Sequence, residues 1–303
     1  MKIEDVKKIL ILGAGTMGQQ ISVPCALSGY DVAVYDISEE ALANASKRIS
    51  RLLQFFVSIN KTTQAEADAA LKRIHMTSNS EEAAKEADIV SESVPEDPSL
   101  KSKIFAEFNK LCPERTVFTT NSSTLLPSMI AEATGRPEKF LAYHFHDIRM
   151  TNVVDIMPHP GTSPEAVELI RALAEKTGQM PIMMSKENHG YVFNAMISTL
   201  FMTAQTLAAR GIASVEDIDR AWMGVTHMLM GPFGMMDSVG LDTVWHITNY
   251  WAQKKNDRQA LRNAEFIKQY VDKGRLGQKS KGGFYDYPNP DFAKPDFLVF
   301  GKK

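Results

Sequence analysis

Short apolar runs punctuate the first part of the chain: Ile9–Leu12, Val32–Tyr35, Ile89–Glu92, Val117–Thr120, Phe140–Phe145, Val153–Met157 and Pro181–Met184. Segments with apolar residues at helical spacing separate them. Strands alternating with helices predict βαβ units and a mostly parallel sheet, hence an α/β fold. One stretch breaks the rhythm. Residues Leu42 to Arg73 read as an inserted hairpin of two long helices joined near Asn60–Thr63, with Thr63 and Glu66 forming the capping box of the second. After Lys186 the texture changes. Apolar residues recur at helical spacing from Val192 to Ala209 and from Ser214 to Met230, and no strand-like run returns before Phe284. The pattern divides the chain into an α/β domain over residues 1–186 and an all-helical domain over 187–303. Methionines crowd between Met180 and Met236, and at helical spacing they read as core filler.

A chain of 303 residues supports two domains with real cores. Lys plus Arg number 34 against 36 Asp plus Glu, a net charge of −2, so no basic stripe points to nucleic acid. No apolar run is long enough to span a bilayer, and the charged start MKIEDVKK has no signal-peptide core. Cys25 and Cys112 lack any CxxC context and fit buried thiols in a reducing cytoplasm. The apolar content of the helical domain predicts that part of its surface is covered in a homodimer.

The first apolar run leads directly into Gly13-Ala14-Gly15-Thr16-Met17-Gly18, then a helical segment, then a second run that ends in Asp36. This strand, glycine turn, helix, strand and acid is the layout of a Rossmann-type dinucleotide-binding unit. Gly13 permits the turn, Gly15 lets a pyrophosphate approach the backbone, and Gly18 lets the helix pack on the strand. The amides at the helix start, around Thr16 and Met17, face the phosphates. Asp36 would accept the ribose hydroxyls and repel a 2′-phosphate, and no Arg follows at Ile37 or Ser38, so the expected cofactor is NAD.

Four further segments stand out: ESVPEDPSLK from Glu92, TNSSTL from Thr120, HFHDIRMTNVVD from His144, and GYVFN from Gly190. Glu92, Asn121 and His144 fall at or just after strand ends, where parallel sheets bind ligands. An imidazole suits the deprotonation of a secondary alcohol, and a carboxylate on its far nitrogen fixes the tautomer. His146 shares a strand face with His144. Metal enzymes usually display their ligands through spacings such as HExxH, which is absent, so no metal is expected. On the hairpin, Lys47, Arg48 and Arg51 read either as a solvated face over a core stripe or as part of a projecting surface for a phosphate-bearing, acyl-bearing ligand. His227 and His246, in helical apolar surroundings, read as ordinary packing.

In this order and spacing the motifs resemble the L-3-hydroxyacyl-CoA dehydrogenases, including the bacterial 3-hydroxybutyryl-CoA dehydrogenases. They comprise GAGTMG with Asp36, SVPEDPSLK, NSS, HF at His144, GYVFN, GPFGMMDSVGLD from Gly231 and GQKSKGGFYDY from Gly277. The resemblance covers nearly the whole chain. It implies that His144 is the general base, that Ser123 hydrogen-bonds the reacting oxygen and that Asn194 helps hold the substrate. It also implies that Glu96 and Lys101 lie near the nicotinamide ribose, that Lys279 reaches the cofactor from the second domain, and that Arg48 and Arg51 contact CoA. The chain departs from the family's HFFNP stretch, carrying His144-Phe145-His146-Asp147-Ile148. The family's partner glutamate is also missing. Asp155 stands one residue early, as if one residue were deleted between Asp147 and Asn152, with Asp147 the alternative partner.

The expected activity is NAD-linked oxidation of an L-3-hydroxyacyl-CoA to the 3-oxoacyl-CoA, or the reverse. Two alternatives remain: a dehydrogenase of a free hydroxy acid, of gulonate or carnitine type, on the same architecture, and a non-catalytic NAD-binding protein like the lens crystallins derived from it.

Overall fold

The computed structural model describes residues 1–299; residues 300–303 of the expected second domain lie outside it. The chain divides into two compact units, the first Met1–Val192 and the second beginning at Phe193. The division falls after Val192 rather than after Lys186, because the segment between is tied to the first unit. Ser128 N–H donates to Glu187, and Tyr191 packs with Ala142 and Met157.

The first unit holds β1 (Lys8–Leu12), α1 (Thr16–Leu27), β2 (Asp31–Tyr35), α2 (Glu39–Ser58), α3 (Gln64–Lys72), β3 (Ile74–Thr77), α4 (Ser80–Ala84) and β4 (Ile89–Glu92). It continues with α5 (Pro98–Leu111), β5 (Val117–Thr120), β6 (Phe140–Phe145), β7 (Val153–Pro158), α6 (Pro164–Lys176) and β8 (Met180–Met183). The strands form one sheet in the order β3-β2-β1-β4-β5-β6-β7-β8. Every neighbouring pair is parallel except β6–β7. The loop 146–152 is too short for a crossover helix, so β7 must return antiparallel. β3 went unread in the sequence pattern.

Helices cover both faces, as a parallel sheet requires. Ile21 and Ala26 of α1, Ile49 and Leu53 of α2, Ala67 of α3 and Leu169 of α6 share one core with Ile11, Val34, Tyr143 and Phe145. Phe105 and Phe108 of α5 and Ala83 of α4 share the other with Leu10, Val90 and Phe118. The inserted hairpin therefore differs from its expected form. Its second helix is short, and of the two readings of α2 the structure matches the solvated basic face over a core stripe: Leu42, Ala45, Ile49, Leu53 and Phe56 turn inward, while Lys47, Arg48 and Arg51 are exposed.

The second unit contains α7 (Phe193–Ala209), α8 (Val215–Thr226), α9 (Pro232–Val239), α10 (Leu241–Lys255) and α11 (Arg258–Val271). Ala204, Ile218, Phe233, Met236, Leu241, Ile267 and Phe284 form its core. Two buried carboxylates join its motifs. Asp219 accepts from the amides of Phe233 and Gly234 and from the Tyr285 hydroxyl, and Asp237 accepts from the amides of Phe284 and Tyr285. Met223 and Met236 are buried, but Met196, Met202 and Met228 are exposed, so the methionine stretch is only partly core filler. His227 and His246 are exposed rather than packed, since His227 closes α8 in a left-handed turn and His246 lies on the outer face of α10. Among the described residues no helix is long and apolar enough to cross a membrane.

Candidate active site

The sheet order reverses between β1 and β4, and the crevice at their carboxyl ends is the expected ligand position. Gly13 sits there with φ +101°, and a side chain on it would stand 2.7 Å from the Ser93 carbonyl. A Cβ on Gly18 would overlap the Gly13 carbonyl, so only glycine lets α1 start this close to β1. Gly15 faces open space, and no side chain caps the first amides of α1, which leaves Thr16 and Met17 at a bare helix start. This cradle fits a dinucleotide pyrophosphate. Asp36, at the end of β2, accepts from the Ala14 amide at 2.9 Å and from the Ser38 amide at 3.0 Å, which holds the carboxylate against the glycine turn.

A buried polar network lies beyond β4. The Lys101 ammonium, 1% exposed, donates to Glu92 at 2.5 Å and to the Val94 carbonyl, and lies 3.5 Å from Glu96. Glu96 accepts from the hydroxyls of Ser122 and Thr124 and from the Thr124 amide. Burial pushes the Glu96 carboxyl up, but these hydrogen bonds and Lys101 outweigh it and hold the group below its ordinary range. The structure thus commits Lys101 to two carboxylates under the loop after β5, with Glu96 as the half-buried outer member.

That loop carries Asn121, Ser122 and Ser123. The Asn121 side chain accepts from the Phe145 amide at 2.7 Å, which fastens the loop to the end of β6. Ser122 is buried and bonded to Glu96, whereas Ser123 is exposed.

His144 is buried on β6. Its strand neighbours Tyr143 and Phe145 turn into the core beneath α1 and α6, so His144 faces the other side. In the antiparallel register His144 lies directly opposite Asp155, and its Nδ1 is 3.1 Å from Oδ2 of that residue. The Nε2 of His146 also stands 3.1 Å from the same oxygen. Burial pushes the Asp155 carboxyl up, but bonds from both imidazoles outweigh it and hold the carboxyl below its ordinary range. Asp147, the other possible partner, turns to Arg149 instead, and that guanidinium depresses its carboxyl. The three ligating atoms of His144, His146 and Asp155 lie within 4.8 Å of one another, a donor set that could suit a cation, yet both nitrogens already bond to the carboxylate oxygen.

The sequence pattern assigned no role to Tyr191. Its ring stacks on His144 at 4.5 Å and 7°, and its hydroxyl donates to the Ser122 carbonyl at 2.5 Å. Burial, then the charges of Asp155, Glu96 and Glu92, push its phenol well above the ordinary range, so it stays a proton donor. The only sequence signal was its place in GYVFN.

Of the remaining candidates, Arg48 and Arg51 lie on α2, and Asn194 and Lys279 belong to the second unit. Arg48 and Arg51 are exposed on α2, and Arg51 lines a cavity of about 510 Å³ with Lys47, Ser50, Leu71, Ile74 and Met76. In the second unit, Asn194 sits in the first turn of α7, and the Lys279 ammonium is paired with Asp242 at 2.6 Å.

A dinucleotide cradle beside a buried His–Asp pair defines a nicotinamide-dependent alcohol dehydrogenase. Residues 8–188 match the family model "3-hydroxyacyl-CoA dehydrogenase, NAD binding domain", and residues 190–287 match "3-hydroxyacyl-CoA dehydrogenase, C-terminal domain". The chain belongs to the 3-hydroxyacyl-CoA dehydrogenase family. It is 32% identical to a probable 3-hydroxybutyryl-CoA dehydrogenase of Bacillus subtilis, over 93% of this chain and 98% of the relative. The solved (S)-3-hydroxybutyryl-CoA dehydrogenase of Ralstonia eutropha is similar at 28% identity and TM-score 0.85, covering 94% of this chain and 100% of that one. A solved diketoreductase, described as acting on dicarbonyl compounds, is similar at 36% identity and TM-score 0.87, covering 93% and 99%. The cofactor is NAD, and the reaction interconverts a 3-hydroxyacyl-CoA and its 3-oxoacyl-CoA.

Proposed function

We propose that His144 takes the proton of the substrate's 3-hydroxyl and Asp155 orients it. The observation that carries this is the 3.1 Å contact between His144 Nδ1 and a buried carboxylate. An ionised carboxylate only accepts, so Nδ1 holds the hydrogen and Nε2 keeps a lone pair for the hydroxyl proton. In the reverse reaction the imidazolium returns that proton to the oxygen. NAD, when bound, supplies the hydride acceptor. Ser123 would donate to the reacting oxygen and Asn194 would hold the substrate. Gly13, Gly15, Thr16, Met17 and Gly18 would hold the pyrophosphate, Asp36 the ribose, and Asn121 and Glu96 the nicotinamide end. Lys101 acts there through Glu92 and Glu96, and Lys279 would serve the cofactor. Arg48 and Arg51 would meet the CoA phosphates.

The acyl chain is a short one, as in the 3-hydroxybutyryl-CoA relatives. The protein works as a homodimer in the cytoplasm without nucleic-acid partners. Exposed Phe193, Met196, Val225 and Leu229 supply apolar surface for the dimer. A second reading, a free dicarbonyl or hydroxy acid as substrate, is favoured by the likeness to the diketoreductase and by a hairpin that lies flat on the core. NADH absorbance across a panel of acyl-CoAs, free hydroxy acids and dicarbonyls separates the two. Higher kcat/KM for the CoA esters supports the first reading, and higher kcat/KM for the free compounds overturns it. His144→Gln lowers kcat by about 10²- to 10⁴-fold if His144 is the base.

A further inference from the structure

Two imidazoles converge on one oxygen of one buried carboxylate. His144 Nδ1 and His146 Nε2 each lie 3.1 Å from Asp155 Oδ2, with their rings 4.8 Å apart and nearly perpendicular. The convergence follows from the fold. His144 lies on β6, His146 stands one residue past the end of that strand, and the antiparallel β7 brings Asp155 opposite His144. A dyad needs only one imidazole, so the second needs an explanation. The charged and titratable groups around the pair are Asp155 on β7, Tyr191 stacked on His144, Glu92 and Glu96 with Lys101 behind Tyr191, and the Asp147–Arg149 pair in the loop 146–152. Of these, Asp155 bonds to both rings.

We propose that His146 is a positioning residue that clamps Asp155 by donating from Nε2, draws charge from the carboxylate and so sets the basicity of His144. This rests on the reading of His144 as the base. A carboxylate that accepts a second hydrogen bond stabilises a neighbouring imidazolium less. A protonated His146 would act in the same direction through its charge. His146 therefore lowers the pH above which His144 is ready to accept a proton. The bond also fixes His146 with its hydrogen on Nε2.

The test compares pH profiles of kcat/KM for oxidation in the wild-type enzyme, His146→Phe and His146→Gln, with imidazole titration followed by NMR. Phe fills similar space without a donor, and Gln supplies an uncharged N–H. The proposal expects the acid limb of His146→Phe to move up by about one pH unit. In His146→Gln the limb should return toward wild type, with KM for NAD unchanged in both. An unmoved limb in His146→Phe overturns it, as does an equal shift in the two variants. Loss of wild-type activity on dialysis against EDTA, restored by Zn²⁺, also overturns it, because the cluster would then hold a metal. His144→Gln separates the two levels. If it keeps near-normal turnover, the reading of the base fails. If it is inactive while His146→Phe keeps the wild-type profile, only the role of His146 fails.

Discussion

Asp155→Asn is the sharpest perturbation of the dyad. The carboxylate is 1% exposed and bonded to two imidazoles, so the substitution removes a buried charge without removing volume. Unit charges about 4 Å apart attract by about 4 kcal/mol at an effective dielectric of about 20. An amide keeps part of that stabilisation, and His146 already shares the oxygen. A net loss of about 1.5–3 kcal/mol, the usual worth of a hydrogen bond to a charged group, is the better figure. It corresponds to a fall in kcat of about 10- to 150-fold. The amide also admits the wrong tautomer. If its N–H₂ faces Nδ1, the imidazole proton moves to Nε2 and blocks the base. The sign in pH follows. An anion beside His144 favours the imidazolium, so its loss moves the acid limb of the oxidation profile to lower pH while lowering the plateau. Asp155→Glu keeps the charge and changes only reach, so its loss should be milder. NADH absorbance under single-turnover conditions, with far-UV circular dichroism as a folding control, measures both variants. Asp147→Asn serves as comparison, and because Asp147 is engaged by Arg149 it should stay near wild type. A kcat for Asp155→Asn within about threefold of wild type, or a crippled Asp147→Asn alone, refutes the reasoning.

Three further outcomes are expected. Asp36→Ser with Ile37→Arg should weaken or reverse the preference for NAD over NADP, read as the ratio of kcat/KM values, because a repelling charge leaves and a phosphate partner arrives. Arg48→Ala with Arg51→Ala should raise KM for an acyl-CoA but leave kinetics on an acyl-pantetheine analogue unchanged, and equal effects on both would make α2 merely structural. Gly18→Ala should push α1 off β1, costing about 1–3 kcal/mol in urea unfolding and weakening NADH binding in a fluorescence titration, and unchanged binding would remove Gly18 from the cradle.

Much of the fold was legible because its signals are local. The runs of β4, β5 and β6 mark their strands to the residue, since every position of these central strands is buried. Ile74–Thr77 escaped because this edge strand alternates apolar and polar residues and follows α3 with no turn residue between them. The hairpin was visible as two helices, but whether it stood out or lay down depended on the fit of the α2 stripe to the sheet face, a property of the assembled core. The exposure of Met196 and Met202 was likewise beyond reach, because helical spacing reports a stripe and not what covers it.

The site divides in the same way. The glycine turn, Asp36 and His144 are set by the sequence itself, since each is required by a short-range geometry: a positive φ, a close approach, a strand end. The partner of His144 was not. Asp147 and Asp155 were both near enough along the chain, and only the antiparallel register of β6 and β7 puts Asp155 opposite the imidazole. His146, one residue past β6, reaches the same carboxylate, and the segment after β8 folds back to lay Tyr191 on His144. These contacts depend on strand pairing and chain return, which are non-local, so tertiary structure alone decides them.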